Sequence, residues 1–379
     1  MSTVHKIGLI GAGNISAAYL TLAPLFPGTK IVAVADIAPE AAKARADAFG
    51  VRAATVDELL KDDEIDTVIN LTIPSAHYAV SHAILSAGKH AYSEKPFALS
   101  VEDGKKLVAE ADARGLKLGS APDTFLGGGG QTARRLIDEG RIGRIISGTT
   151  HVMSRGMEHW HPNPAFFFEP GAGPVLDLGP YYIAQLVNLV GPVKSVAALA
   201  SIGYAERLVT AEGPMKGRTV PVSTPTTINA VLEFLSGAQI TLGASWDVWK
   251  HGHVNPIELY GSEGTMLVPD PNFFGGDLQV SAHGGDFATV PTADAPFGKA
   301  NWHDGRHANY RMLGVADLLD AADTGREPRC SGRVALHALD VMVSILEAAA
   351  DRRVVTVSTT TERPALLTAE DAARLTAPR

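Results

Sequence analysis

The sequence predicts an α/β chain in two parts. A doubly wound parallel sheet occupies residues 1–122, and an α+β unit with a large, mostly antiparallel open sheet occupies residues 123–379. Three observations carry this. The chain has 379 residues, room for two domains at about 150 residues each. Up to Ala121, short apolar runs alternate with helical patterns, as in a parallel sheet covered by helices. Beyond it, strand-like runs follow one another with few helices between them, which suits antiparallel pairing.

In the first part, strands are expected at Lys6–Ile10, Lys30–Ala35, Thr67–Thr72, His90–Ser93 and Lys117–Ser120. Helices are expected at Pro39–Phe49, Ser75–Ala87 and Val101–Arg114, stopped by Gly50, Gly88 and Gly115, with Ser100 capping the last. Ile7–Thr29 carries no charge, but its glycines and prolines interrupt the apolar run, so it reads as a buried strand, turn and helix rather than a membrane span or signal peptide. In the second part a helix at Gly130–Glu139 precedes strands at Ile145–Met153, Val193–Ile202, Ile228–Leu235, Gln239–Val248, Ile257–Tyr260 and Thr265–Val268. Helices return at Tyr310–Thr324 and Arg333–Asp351, and the tail from Ser358 is expected to be loose or to wrap the surface. Gly127–Gly130 reads as an interdomain hinge, or as an anion site at a helix start.

Composition narrows the function classes. Hydrophobic residues at 45% and charged residues at 20% exclude disorder and collagen-like repeats. A net charge of -8 leaves no basic field for nucleic acid or anionic lipid, which points to small-molecule chemistry. The single cysteine, Cys330, excludes an intrachain disulfide and suits a reducing compartment; with no twin-arginine signal, a cytoplasmic location is expected.

The chemistry-bearing motif at the N-terminus is Gly8-Leu9-Ile10-Gly11-Ala12-Gly13-Asn14-Ile15-Ser16, a strand running into glycines and then a helix. Gly11 makes the turn, Gly13 allows close approach, and the amides of Asn14 and Ile15 open a helix that suits a pyrophosphate. Ser16 stands where the third fingerprint glycine would be, a packing position that accepts a small residue. Asp36 ends the second strand about 20 residues on, where a carboxylate binds a ribose 2′-hydroxyl. It would repel the 2′-phosphate of NADP, so NAD is expected, with Ile37 beside it. Glu94-Lys95-Pro96 closes a later strand, and carboxyl ends of parallel strands are where such sheets place ligands. In isolation the tripeptide would read as a solvated loop.

Together with Thr72-Ile73-Pro74-Ser75-Ala76-His77 and the lead-in Ala87-Gly88-Lys89-His90, these motifs resemble the Gfo/Idh/MocA family of NAD(P)-dependent sugar and cyclitol oxidoreductases along nearly the whole chain. The resemblance implies a Rossmann cofactor domain in which Gly11, Gly13, Asn14, Ile15, Asp36, Ile37, Thr72, Ile73, Pro74, His77, Glu94 and Lys95 hold NAD. It also implies that Lys95 sits beside the nicotinamide and contacts the reacting hydroxyl, before a proline that is often cis. The family's second signature, Asp-x-Gly-x-His on a helix, appears as Asp177-Leu178-Gly179-Pro180-Tyr181, with tyrosine in place of histidine. Asp177 and Tyr181, four apart, share a helix face. The resemblance then assigns Tyr181 as base, Lys95 as electrostatic anchor and Asp177 as a contact to a substrate hydroxyl; the alternative for Tyr181 is a core aromatic.

Three histidine clusters remain: His159-Trp160-His161, His251-Gly252-His253 and His303-Asp304-Gly305-Arg306-His307. Asp304 and Gly305 break the metalloprotease pattern, and no metal is expected. By family resemblance Arg155, His159, Trp160, His161, His303, Arg306 and His307 line a sugar pocket, with Asp123 a further contact. Their positive charge suggests an anionic sugar. Two other functions use the same residues: a glycosidase that oxidises its sugar transiently on bound NAD, eliminates, hydrates and reduces again, and a non-catalytic NAD or sugar sensor. An open sheet face predicts a homodimer or homotetramer, with a carbohydrate as the small-molecule partner and neither nucleic acid nor membrane.

Overall fold

The computed structural model describes residues 4–303 and 305–378. Its first sheet contains β1 (His5–Ile10), β2 (Thr29–Ala35), β3 (Arg52–Ala54), β4 (Thr67–Asn70), β5 (His90–Ser93) and β6 (Leu118–Ser120), in the order β3-β2-β1-β4-β5-β6. All its pairings are parallel. Helices α1 (Asn14–Leu22), α2 (Pro39–Phe49), α3 (Val56–Lys61), α4 (His77–Ser86) and α5 (Val101–Arg114) make the crossovers. The uncharged segment Ile7–Thr29 is β1, the glycine turn and α1, with Ile7, Leu9, Tyr19 and Phe26 buried. Gly50 and Gly115 close α2 and α5 in the left-handed region, and the Ser100 hydroxyl accepts from the Asp103 amide.

The second sheet has nine strands and follows α6 (Gly128–Asp138). In chain order the remaining elements are β7 (Ile145–Met153), α7 (Pro174–Val190), β8 (Val193–Ser201), β9 (Glu206–Leu208), β10 (Thr219–Pro221), β11 (Thr227–Phe234) and β12 (Gln239–Ser245). Then come β13 (Ile257–Gly261), β14 (Gly264–Val268), β15 (Leu278–Ala282), β16 (Ala288–Val290), α8 (Leu313–Thr324), α9 (Gly332–Asp351), β17 (Val355–Thr356) and α10 (Ala369–Thr376). The sheet order is β16-β15-β14-β13-β7-β12-β11-β8-β17, antiparallel except between β7 and β12; β9 and β10 form a separate ribbon. Alternation along β11 buries Ile228, Ala230, Leu232 and Phe234 beneath α7 and α9 and leaves the opposite face open. Among the described residues, no helix is long and apolar enough to cross a membrane.

One expectation needs correction. Gly127–Gly130 is not a hinge: Gly128–Gly130 form the buried first turn of α6, and a Cβ at Gly128 would lie 2.6 Å from the Gly298 Cα. A Cβ at Gly127 would strike the Phe274 backbone, so these glycines permit close packing of chain on chain. The tail takes the second of its two expected courses and wraps the surface. The Thr359 amide and Ser358 hydroxyl donate to Asp340, Arg134 donates to the Pro364 carbonyl, and Leu367 donates to Gln131, before α10 ends the wrap.

Candidate active site

The turn after β1 is shaped for a ligand. Gly11 has φ +105, and a Cβ there would lie 2.5 Å from the Leu71 carbonyl carbon, so only glycine fits this crossing of backbones. A Cβ on Gly13, by contrast, would meet nothing within 4 Å, because Gly13 faces open space at the start of α1. No side chain caps that helix, and the amides of its first turn are left for an anion. Ser16 is buried and donates to the Gly13 carbonyl at 2.6 Å, so serine does the packing work of the missing glycine. Asp36 accepts from the Ala12 amide (2.7 Å) and the Ala38 amide (2.9 Å), which fixes its carboxylate at the end of β2 beside the glycine turn. Ile37, Ile73 and Pro74 are exposed around it. An unobstructed glycine, an uncapped helix start and a fixed carboxylate together fit a dinucleotide.

His77 behaves differently from the other expected cofactor residues. It is 1% exposed, with Nε2 at 2.9 Å from the Thr72 carbonyl and Nδ1 at 2.6 Å from the Pro96 carbonyl. It therefore ties the end of β4 to the Lys95–Pro96 corner, where the peptide is cis, and positions the site from behind.

Lys95 leaves the end of β5 and reaches the first turn of α7. Its ammonium donates to Asp177 Oδ1 at 2.9 Å and to the Asp177 carbonyl at 2.8 Å, and lies 5.7 Å from the Tyr181 ring centre. Burial alone would lower the ammonium's pKa, but Asp177, Tyr181 and Glu94 outweigh it, and the net direction is upward. Tyr181 is 7% exposed, and among the described residues its hydroxyl has no hydrogen-bond partner. Burial pushes its phenol up, while Lys95 and Arg311 pull it down; burial wins. Tyr181 is therefore a neutral phenol at rest, and Lys95 lowers its pKa only part of the way.

Behind this trio lies a layer of which the sequence reading named only Glu94, as a cofactor contact, and not Tyr19 or Arg311. Glu94 accepts from the Tyr19 hydroxyl (3.0 Å) and from the Lys95 amide (3.0 Å), and the partly buried Arg311 comes to 4.0 Å from it. Glu94 is 8% exposed, with these partners around it. Asp123 is a correction: it is 1% exposed, and its Oδ2 accepts from the Gly314 amide at the start of α8, so it does not meet a substrate. Burial raises its carboxyl pKa to about 6, against the pull of Arg311 and the Gly314 amide.

Lys95, Asp177 and Tyr181 line one cleft of about 550 Å³ together with Arg155, His159, Trp160, Phe167 and Asn272. Three of the residues expected at a sugar pocket, Arg155, His159 and Trp160, thus line this cleft. His161 is outside the lining, accepting from the Asn163 amide and packing edge-on to Phe166 and Phe167. His303, Arg306 and His307 are also outside the lining, in a loop closed by a bridge between Trp302 and His307, with His307 stacked on Phe273; Asp304 of that motif lies outside the described residues. The charged side chains that line the cleft are Lys95, Arg155 and Asp177, and Arg306 is not among them. His251 and His253 pack in line with His151, and no group of three or more potential metal ligands occurs among the described residues.

Fold and site together define a dinucleotide-dependent oxidoreductase, and comparison with known proteins gives the family. Residues 5–121 match the NAD-binding Rossmann fold of the GFO/IDH/MocA oxidoreductases, and residues 131–267 match their C-terminal domain. The chain belongs to this family, and its first unit is the family's NAD-binding domain. An uncharacterized oxidoreductase of Schizosaccharomyces pombe is 34% identical over 264 residues, covering 66% of this chain and 68% of that protein. Levoglucosan dehydrogenase of Pseudarthrobacter phenanthrenivorans is 29% identical over 331 residues, covering 78% and 83%. A solved levoglucosan dehydrogenase in complex with NADH superposes with a TM-score of 0.79 at 23% identity, covering 94% of this chain and 99% of that one, a likeness of fold.

Proposed function

We propose that the protein transfers a hydride between a ring carbon bearing a secondary hydroxyl, in a sugar, glycoside or cyclitol, and NAD. One observation carries this reading: an ammonium, a carboxylate and an unpartnered phenol from two different elements converge on a single cleft at the carboxyl end of β5. The relative named levoglucosan dehydrogenase supports a sugar substrate. Gly11, Gly13, Asn14, Ile15, Asp36 and the Thr72–Pro74 corner would hold NAD, and Asp36 favours it over NADP. Bound there, NAD supplies the hydride acceptor.

The protein supplies everything else. Lys95, kept as an ammonium by Asp177, donates to the reacting hydroxyl and stabilises the alkoxide as charge develops. Tyr181 carries the proton: as phenolate it removes the hydroxyl proton in oxidation, and as phenol it returns it in reduction. Asp177 fixes Lys95 and accepts from a neighbouring hydroxyl, which orients the ring. Lys95→Ala and Tyr181→Phe should each lower turnover about 10²-fold or more while NADH fluorescence shows binding retained. A panel of sugars and cyclitols followed by nicotinamide absorbance tests the reading, and unchanged turnover in both variants would overturn it. Exposed Leu199 and Val231 on the nine-stranded sheet support a homodimer or homotetramer, which sedimentation would reveal.

A further inference from the structure

The cleft at Tyr181 does not end at Arg155 and His159. Those two residues also line a second chamber of about 250 Å³, completed by Trp249, Tyr204, Glu206 and Arg207 among others. Strand β9 contributes Glu206, Arg207 and Leu208 to its wall. Beneath it, Arg207 is clamped by Glu158 at 3.0 Å, by the Trp246 carbonyl at 3.2 Å and by Asp247, over a buried cluster that includes Phe168 and Trp246. The floor is therefore fixed before any ligand arrives.

The surface above that floor has a defined chemistry. The Arg155 guanidinium lies 4.0 Å over the Trp249 indole, which is still 69% exposed, and the two form a flat plate. Among the described residues, the Arg155 guanidinium, the Tyr204 hydroxyl and the Glu206 carboxylate make no hydrogen bond, so donors and acceptors stand unspent around the plate. Charge does not favour an anion. Arg207 is neutralised by Glu158 and Asp247, and the Glu206 carboxylate lines the same chamber as Arg155. Aromatic faces with unspent polar groups and no net positive charge suit a neutral polyhydroxylated ring, whose C–H face stacks while its hydroxyls find partners.

We infer that this chamber is a subsite for a second sugar ring, so that the preferred substrate is a disaccharide whose first ring reacts beside Tyr181 and whose second ring rests on the Arg155–Trp249 plate. The inference rests on the catalytic chamber holding a sugar, as proposed above. Its test is calorimetric binding to the NADH-loaded protein, with NADH formation measured in parallel. The probes are D-glucose and D-galactose against cellobiose, maltose, trehalose, lactose and melibiose.

At least one disaccharide should bind about tenfold more tightly than its component sugars. Trp249→Ala should bring that ratio close to one, and Trp249→Phe should restore most of it. Disaccharides that bind no better than monosaccharides, or a ratio indifferent to Trp249→Ala, would overturn the subsite; NADH formed from the free sugars in that case would leave the proposed reaction standing. Tight, Trp249-dependent disaccharide binding without any turnover would support the subsite and overturn the reaction. Binding of neither class would overturn both.

Discussion

Replacing Lys95 by methionine keeps a stem of similar bulk and removes a cation 5.7 Å from the Tyr181 ring centre. At that separation two unit charges interact by about 3 kcal/mol at an effective dielectric of about 20. Expressed as proton affinity, that is about two pH units on the phenol. The sign follows from the direction of the effect: Lys95 lowers the Tyr181 pKa against burial, so its loss lets the pKa rise. Oxidation needs the phenolate, and its rate climbs as pH rises through that pKa. In Lys95→Met the ascending limb of kcat/KM for oxidation should therefore move up by about two pH units, with a fall of about 100-fold near neutrality. Because Lys95→Met strands the Asp177 carboxylate, the double variant Lys95→Met, Asp177→Asn separates the loss of charge from the cost of an unpaired partner. NADH affinity, read by fluorescence, should stay within a few-fold in both. A limb that does not move would refute Tyr181 as the proton carrier poised by Lys95.

Asp36→Ser should weaken NADH binding by about tenfold or more and raise the relative affinity for NADPH, as measured by fluorescence titration of both nucleotides. The two turn glycines should separate fold from binding. Gly11→Ala, which drives a Cβ into the Leu71 backbone, should lower Tm, whereas Gly13→Ala should leave Tm unchanged and lower NADH affinity. Asp123, with its folded pKa raised to about 6, binds its proton more tightly in the native state, so its contribution to stability falls as pH rises from about 4 to 6. Asp123→Asn should gain on the wild type across that window by about 3 kcal/mol, read as the difference between urea unfolding curves at the two ends; a constant difference would show that Asp123 does not titrate there.

Much of this was legible in the sequence because it rests on local rules. The glycine turn, Asp36 at the end of β2 and the i,i+4 pair on α7 are short-range patterns, and the structure shows each in the geometry its spacing implies. Elements were missed where the pattern is thin: β3 is a three-residue edge strand that exposes most of its side chains, and α3 is a six-residue helix. Both α3 and α10 do carry readable signals, capping boxes at Thr55/Glu58 and Thr368/Asp371. The site's inner layer had no such signal. Nothing in the spacing of Tyr19, Glu94 and Arg311 says that they meet, because they arrive from α1, from β5 and from the loop before α8. The same limit explains the surplus of expected pocket residues. The histidines at 303 and 307 lie in a loop before a helix, as a pocket loop would, but that loop closes on itself.

Transfer of hydrogen from a ring carbon is tested most directly with substrates deuterated at the ring carbons, using the sugar or cyclitol that the panel selects. With NAD present, mass spectrometry of the product nucleotide should find deuterium in NADH, at a rate lowered by both deuteration and Tyr181→Phe. Substrate turnover that leaves the nucleotide unlabelled would contradict hydride transfer at the Lys95–Tyr181 cleft.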